Sequence, residues 1–196
     1  MPRPRGRKPP LPQRRRGRPA RRPTASFNAP STSRGKRSRA EPAPPPSEWP
    51  TPPAKADFVL VLKEARRMLL LRGNRVLRDY EVSLGANPKG AKRRNGDGRT
   101  PEGRYLLDWR IGENQSRFHR AIHISYPNDW DREFARGAGI EPGGGVMIHG
   151  LPENESWVSE AHLEFDWTNG CIAVTSDEME EIWELVDDGT PIEIRP

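Results

Sequence analysis

The 196-residue chain contains a single cysteine, Cys171, and no long apolar run. One cysteine excludes an intramolecular disulfide, and by itself it cannot hold a structural zinc ion. Apolar runs such as residues 68–71 are far shorter than the roughly 20 residues that a membrane-spanning helix needs. Cys171 is therefore either an inert packed thiol or a reactive one.

Acidic residues are almost absent from residues 1–56, where Glu41 and Glu48 are the only two. The same segment holds 15 of the 22 prolines and 15 of the 33 Lys and Arg residues. Its formal charge is +13 and that of the remaining residues is −7, so the whole-chain charge of +6 comes from the tail. A segment of this composition cannot bury a core, and we expect a disordered basic tail (1–56) followed by one domain (57–196).

The basic tail allows two interpretations. Arginine runs at 14–16 and 21–22 favour nonspecific attraction to nucleic acid, anionic lipid or acidic envelope polymers, whereas the simpler interpretation is a solvated linker. Phe27 is the only aromatic residue among the arginines, so a base-stacking platform for a specific nucleic acid is not expected. The apolar h-region of a secretory signal is not visible in residues 1–56.

Two short motifs indicate nucleophilic chemistry. Cys171 follows Asn169 and Gly170, and a glycine before the sulfur lets a carbonyl approach while backbone N–H groups converge on the oxyanion. His149 follows three apolar residues and precedes Gly150, which predicts an imidazole at the end of a strand. A thiol next to such an imidazole can lose its proton at neutral pH.

These motifs resemble the signature of the L,D-transpeptidase (YkuD-type) catalytic domain family, in its Gram-negative bacterial branch. In that family a His-Gly step precedes a Ser/Thr-x-Gly-Cys run. The resemblance covers roughly residues 57–196, and further segments follow the same order: residues 97–105 (DGRTPEGRY), 116–119 (SRFH), 124–128 (ISYPN) and 188–192 (DGTPI).

The resemblance implies an enzyme that transfers acyl groups between peptidoglycan stem peptides through a Cys171 thioester. His149 would be the base, the Gly150 carbonyl would orient its ring, and backbone amides near Asn169, Gly170 and Cys171 would hold the oxyanion. Substrate contacts are expected from four further residues: Ser116, His119, Tyr126 and Trp167. The resemblance also implies no cofactor, and a location in the periplasm or cell envelope.

The sequence departs from the commoner family pattern at two positions. Asn169 stands where many members have histidine, and Ala173 stands where many have arginine, which removes a possible carboxylate partner. Both changes affect the expected choice of substrate rather than the catalytic pair.

Two other functions are compatible with the residues. Water instead of an amine would intercept the same thioester and give an L,D-carboxypeptidase or amide hydrolase. A noncatalytic protein that binds the wall or a polyanion through the basic tail is the alternative of another class.

The remaining histidines, glycines and tryptophans have simpler interpretations. His119, His123 and His162 lack the spacing of a His-Glu-x-x-His helix, so no metal site is expected. The triple glycine 143–145 is typical of a turn that leads into the His149 strand. Trp157 and Trp167 either line the cleft or belong to the core.

The pattern of apolar residues predicts a mostly β fold, a β-rich α+β domain of the YkuD-like β-sandwich type. One C-terminal helix (176–186) should follow the cysteine strand, because Thr175 and Glu178 have capping-box spacing. A second, short helix is expected at 131–136. Strands are predicted at 58–62, 67–72, 75–84, 104–111, 121–126, 146–149, 172–174 and 192–195.

Overall fold

The computed structural model describes residues 53–113, 115–152 and 161–196. Its strands are β1 (Phe58–Leu62), β2 (Arg67–Arg72), β3 (Arg75–Glu81), β4 (Gly103–Ile111), β5 (Ala121–Ile124), β6 (Met147–His149), β7 (Ile172–Ala173) and β8 (Thr190–Arg195). Its helices are α1 (Asp129–Ala138) and α2 (Ser176–Leu185). This strand-rich composition confirms the predicted fold class.

All eight strands join one sheet in the order β3-β2-β1-β8-β4-β5-β6-β7. The pairs β1/β8 and β6/β7 are parallel, and the others are antiparallel. After β3 the chain crosses to the far end of this order, where Ser83 pairs with Ala173 and Gly85 with Thr168. The two ends of the sheet therefore meet, and the sheet curls around its apolar side chains.

The core forms because buried and half-buried side chains alternate along the central strands, as in β1 and β8. Helix α2 closes this core with Met179, Ile182 and Leu185, which recur at helical spacing and are buried. Thr175 accepts from the backbone N–H of Glu178, and the Glu178 side chain accepts from the backbone N–H of Thr175. The predicted capping box is thus confirmed, and α2 starts immediately after the strand that follows Cys171.

Several element boundaries differ from the sequence prediction, and three of these elements show the physical cause. Helix α1 is longer than predicted because Asn128 and Asp131 form a second capping box and Gly139 ends the helix in a left-handed conformation. Strand β3 stops at Glu81 because the next residues exchange β2 for β7 as their partner. Strand β5 stops before Pro127, which has no N–H to donate to a ladder.

Among the described residues, neither helix is long or apolar enough to cross a lipid bilayer.

Candidate active site

His149 is the last residue of β6, and Cys171 comes directly before β7, the strand that pairs with β6 in parallel. In the β6/β7 ladder Ile148 pairs with Ile172 and His149 pairs with Ala173. Because successive side chains point to opposite faces of a strand, His149 and the residue two positions before its partner share one face. That residue is Cys171, one position before β7 begins, so we expect the parallel pairing to bring the two predicted catalytic residues to the same side of the sheet.

The backbone of Gly150 defines the tautomer of His149. The Nδ1 atom lies 2.7 Å from the Gly150 carbonyl oxygen, which can only accept a hydrogen bond. In the neutral ring Nδ1 therefore carries the proton, and Nε2 keeps the lone pair that a base needs. A side chain at Gly150 would place its Cβ 2.6 Å from the His119 carbonyl oxygen, which explains the glycine.

Aromatic rings enclose His149, whose side chain is only 1% exposed. The Phe118 ring stacks on the imidazole with 3.9 Å between the ring centroids. The Trp167 ring meets the imidazole in an edge-to-face arrangement with 5.8 Å between the centroids. Burial lowers the pKa of His149 to about 4, with a smaller contribution from the nearby charge of Arg117 and an opposing one from the Gly150 hydrogen bond. The imidazole is therefore neutral at neutral pH.

The thiol of Cys171 is also neutral at rest. Burial raises the pKa of Cys171, while a hydrogen bond with the backbone of Met147 and the charges of Lys92 and Arg117 act in the opposite direction. Its Sγ atom lies 3.8 Å from the Gly145 carbonyl oxygen. The sequence suggested a thiol deprotonated at neutral pH, whereas in the structure desolvation of the sulfur outweighs the neighbouring cations.

The loop before Cys171 uses one of the three predicted oxyanion donors internally. The N–H of Gly170 donates to Thr168 Oγ1 at 3.1 Å, and this hydroxyl donates to the Cys171 carbonyl at 2.8 Å. The Gly170 amide is therefore already engaged, while the amides of Asn169 and Cys171 stay predicted donors. Gly170 has a φ of 128°, a conformation that favours glycine, and a Cβ there would lie 2.6 Å from the Arg99 carbonyl oxygen.

Ser116 and His119 are positioned by neighbours other than Cys171. The Ser116 hydroxyl donates to the Phe118 carbonyl at 3.0 Å and accepts from the Phe118 N–H at 3.1 Å, so it shapes the turn that carries the ring stacked on His149. The ring of His119 pairs with Glu180 on α2, and its carbonyl accepts from the Gly150 N–H. Both residues support the His149 side of the site through the backbone.

Tyr126 lies in the core rather than beside the catalytic pair. Its side chain is 3% exposed, its hydroxyl donates to the Pro142 carbonyl at 3.0 Å, and its ring contacts that of Tyr105. The structure therefore offers no exposed Tyr126 surface to a substrate. Trp167 contacts His149, whereas Trp157 lies outside the described residues.

One group of side chains has the composition of a metal site. Ligand atoms of Glu113, His119 and Glu180 lie within 4.8 Å of one another. Arg120 is ion-paired with both carboxylates, at 3.0 Å to Glu113 and 2.9 Å to Glu180. A cation would have to compete with this guanidinium, so the cluster is an ion-pair network rather than a metal centre.

A cavity of about 460 Å³ lies apart from the catalytic pair, beside Lys63, Lys89 and Glu102. Lys63 is buried there and donates to the carbonyls of Gly90 and Thr100 and to Glu102. All three of its N–H groups therefore have acceptors, and this lysine secures a loop instead of presenting a free charge.

Sequence reasoning missed three contributors to the site: the Phe118 ring, the Gly145 carbonyl and the buried Lys92–Asp97 pair next to Gly170. Phe118 lies within a family segment, but nothing in its sequence context predicts that it stacks on His149. Lys92 appears in sequence as one of several surface-type cations, and only the fold shows that it is buried.

The fold and the site define a strand-rich domain in which a histidine ends one strand of a curled sheet and a cysteine directly precedes the parallel strand beside it. The chain belongs to the L,D-transpeptidase catalytic domain (YkuD) family, whose sequence model matches residues 56–194. The family relationship that the motifs predicted is thereby confirmed.

Two relatives illustrate this membership. The Escherichia coli K12 protein named "Putative L,D-transpeptidase YafK" is 30% identical over 133 residues, which is 66% of this chain and 46% of YafK. A crystal structure is known for the helical cell shape determining protein Pgp2 from Campylobacter jejuni, whose sequence is 26% identical to this chain. The two structures match with a TM-score of 0.53, over 70% of this chain and 46% of Pgp2. The chain thus spans about half the length of these relatives.

Proposed function

We propose that this protein is a cysteine-dependent L,D-transpeptidase that transfers acyl groups on peptidoglycan stem peptides, with Cys171 as nucleophile and His149 as base. The observation that supports the proposal is the parallel β6/β7 ladder, in which β6 ends at His149 and β7 begins directly after Cys171. The Gly150 carbonyl leaves His149 Nε2 as the nitrogen able to accept a proton. Family membership supplies the substrate class.

In the proposed first half-reaction, Nε2 of His149 takes the thiol proton as Sγ of Cys171 attacks the stem-peptide carbonyl that follows the L-centre of the diamino acid. A C–S bond forms, the C–N bond to the terminal D-residue breaks, and the departing amine receives the proton from the imidazolium. In the second half-reaction an acceptor amine attacks the thioester, His149 accepts its proton, and the thiol is regenerated. Proton transfer of this kind contributes about 10²- to 10⁴-fold in rate.

A neutral thiol and a neutral imidazole suit this sequence of steps. The raised pKa of Cys171 and the pKa of about 4 for His149 mean that the proton moves during attack instead of beforehand. Such a thiol is protected from adventitious oxidation until a substrate carbonyl lies in front of it, because the thiolate is the reactive form.

The decisive test uses Cys171→Ala. Wild type incubated with a stem tetrapeptide or a carbapenem should gain the mass of the acyl group, and Cys171→Ala should gain none and lose turnover entirely. Intact-protein mass spectrometry measures both, and a thermal unfolding scan checks that the variant is folded. Acylation of Cys171→Ala, or a wild type that stays unmodified, would contradict the proposal.

The same incubation separates transfer from hydrolysis. New muropeptide dimers indicate that an amine resolves the thioester, and shortened monomers indicate that water does. Transfer is the function we favour, because the family is the L,D-transpeptidase catalytic domain family and YafK is named for the same activity.

We further propose that the protein acts on the wall in the periplasm or cell envelope, where its substrate lies. Pgp2, the structural relative, is named for a role in helical cell shape, so a change in cell morphology on loss of the present protein is the corresponding expectation. Fractionation of cells that express the full chain with a C-terminal tag tests the location.

A further inference from the structure

Lys92 is a buried cation next to the cysteine loop. Its side chain is 4% exposed, and its ammonium lies 2.9 Å from Asp97 Oδ1 and 3.2 Å from the Arg94 carbonyl oxygen. An ammonium has three N–H donors, and these are its two acceptors in the described part of the chain.

Backbone hydrogen bonds to Asp97 close the loop that holds Lys92. The Asp97 carboxylate accepts backbone N–H groups of Arg93, Arg94 and Arg99 at 2.8 to 3.1 Å. Burial acts to raise the pKa of Asp97, but these hydrogen bonds and the one from Lys92 outweigh it and hold the pKa at about 2. The carboxylate is therefore ionised at neutral pH, and a neutral residue at position 92 would still leave the turn hydrogen-bonded.

The loop packs directly against the residue that precedes the nucleophile. A Cβ added to Gly170 would lie 2.6 Å from the Arg99 carbonyl oxygen and 3.9 Å from Lys92 Nζ. The ammonium thus lies beside the backbone of Gly170, one residue from the sulfur.

A buried ion pair is a weak source of stability, since removing two charges from water costs about as much as their attraction returns. Removing a cation from water costs free energy. A buried ammonium next to a nucleophile that carries negative charge during the reaction therefore indicates an electrostatic role.

We propose that Lys92 is a positioning residue whose buried ammonium, next to the Gly170 backbone, favours the thiolate of Cys171. The inference rests on the proposed function of Cys171. The other groups that bear on the sulfur are the exposed Arg117, the Gly145 carbonyl and the Met147 backbone. Of these only Arg117 is a second cation, and solvent screens it because it is exposed.

The test is the pH dependence of Cys171 alkylation by iodoacetamide, which reports the thiol pKa without any turnover. In Lys92→Met the thiol pKa should rise by roughly one pH unit, the effect expected for loss of a close opposite charge. Lys92→Arg retains the cation and should keep the thiol pKa near that of wild type. Lys63→Met removes another buried lysine, one that pairs with Glu102 on the far part of the same loop, and should leave the thiol pKa unchanged.

A second variant guards against misfolding. Lys92→Gln removes the charge but keeps a side-chain N–H that can donate to Asp97, and it should show the same rise in thiol pKa. A folded Lys92→Met or Lys92→Gln variant with the wild-type alkylation profile would overturn the proposal, as would an equal rise in Lys63→Met. Turnover by Cys171→Ala would instead disprove the proposed function, and the alkylation result would stand independently.

Discussion

At the scale of single residues, His149 combines a fixed tautomer with a fixed charge state. The hydrogen bond from Nδ1 to the Gly150 carbonyl sets the tautomer, and enclosure by Phe118 and Trp167 keeps the ring neutral. A base of this kind gains orientation but loses basicity, because the same burial lowers its pKa to about 4. In the proposed reaction the thiol proton must therefore pass directly to Nε2 while the sulfur attacks the substrate.

The depressed pKa of His149 also makes stability depend on pH. In the unfolded chain the imidazole is protonated below its ordinary pKa of 6.5, whereas in the folded protein it is protonated only below about pH 4. The unfolded state thus binds more protons between these limits, and stability falls as the pH drops from 6.5 to 4. The loss is on the order of 3 kcal/mol from this one group.

We expect His149→Gln to remove that part of the pH dependence. Urea unfolding at pH 7 and pH 4.5 should show a smaller decrease in the free energy of unfolding for this variant than for wild type. His123→Gln, which removes a histidine from the adjacent strand β5, is the matched control and should retain the wild-type dependence. Parallel pH curves for wild type and His149→Gln would contradict a neutral buried imidazole.

At the scale of elements, the site depends on the short connection between β7 and α2. Thr175 lies between the strand that follows Cys171 and the helix that covers the core, and its side chain caps the Glu178 N–H. The cap defines where the helix starts and hence how the strand end is anchored.

Thr175→Ala should lower the free energy of unfolding by about 1 kcal/mol, the usual cost of losing an N-cap side chain. Urea titration measures the change. Ser176→Ala is the control, because Ser176 is the first helical residue and takes no part in the capping box. A loss confined to Ser176→Ala would show that the box does not anchor the helix.

At the scale of the whole molecule, charge divides the chain more sharply than any other property. Residues 1–56 carry 15 basic and two acidic residues, and the rest of the chain is acidic overall. We propose that residues 57–196 form the catalytic domain and that the tail adds electrostatic attraction to anionic polymers, including those of the envelope.

Removing residues 1–52 should therefore leave the unfolding temperature and Cys171 acylation unchanged. The same truncation should abolish binding to an anionic polymer such as heparin at low salt, and salt should weaken the binding of the full chain. A full-length variant with the tail arginines replaced by glutamine separates charge from length. Lost acylation in the truncated protein would show instead that the tail belongs to the functional unit.

Much of the fold is readable in the sequence because local patterns coincide with the final structure. The alternation in β1 and the Thr175/Glu178 spacing before α2 both depend on contacts within a few residues. The end of β3 is not readable, because Ser83 and Gly85 pair with Ala173 and Thr168, which lie far away in sequence. The prediction of Tyr126 as a substrate contact likewise took no account of its packing against Tyr105.

The lone cysteine, the glycine before it and the His-Gly step are properties of the sequence, and together they determined the family and the candidate chemistry. Tertiary structure alone decided that the thiol and imidazole are both neutral, that the Gly170 amide is already engaged and that Lys92 is buried beside the cysteine loop. The physical reason is that pKa values, hydrogen-bond partners and burial are set by atoms distant in sequence, which only the closure of the curled sheet brings together.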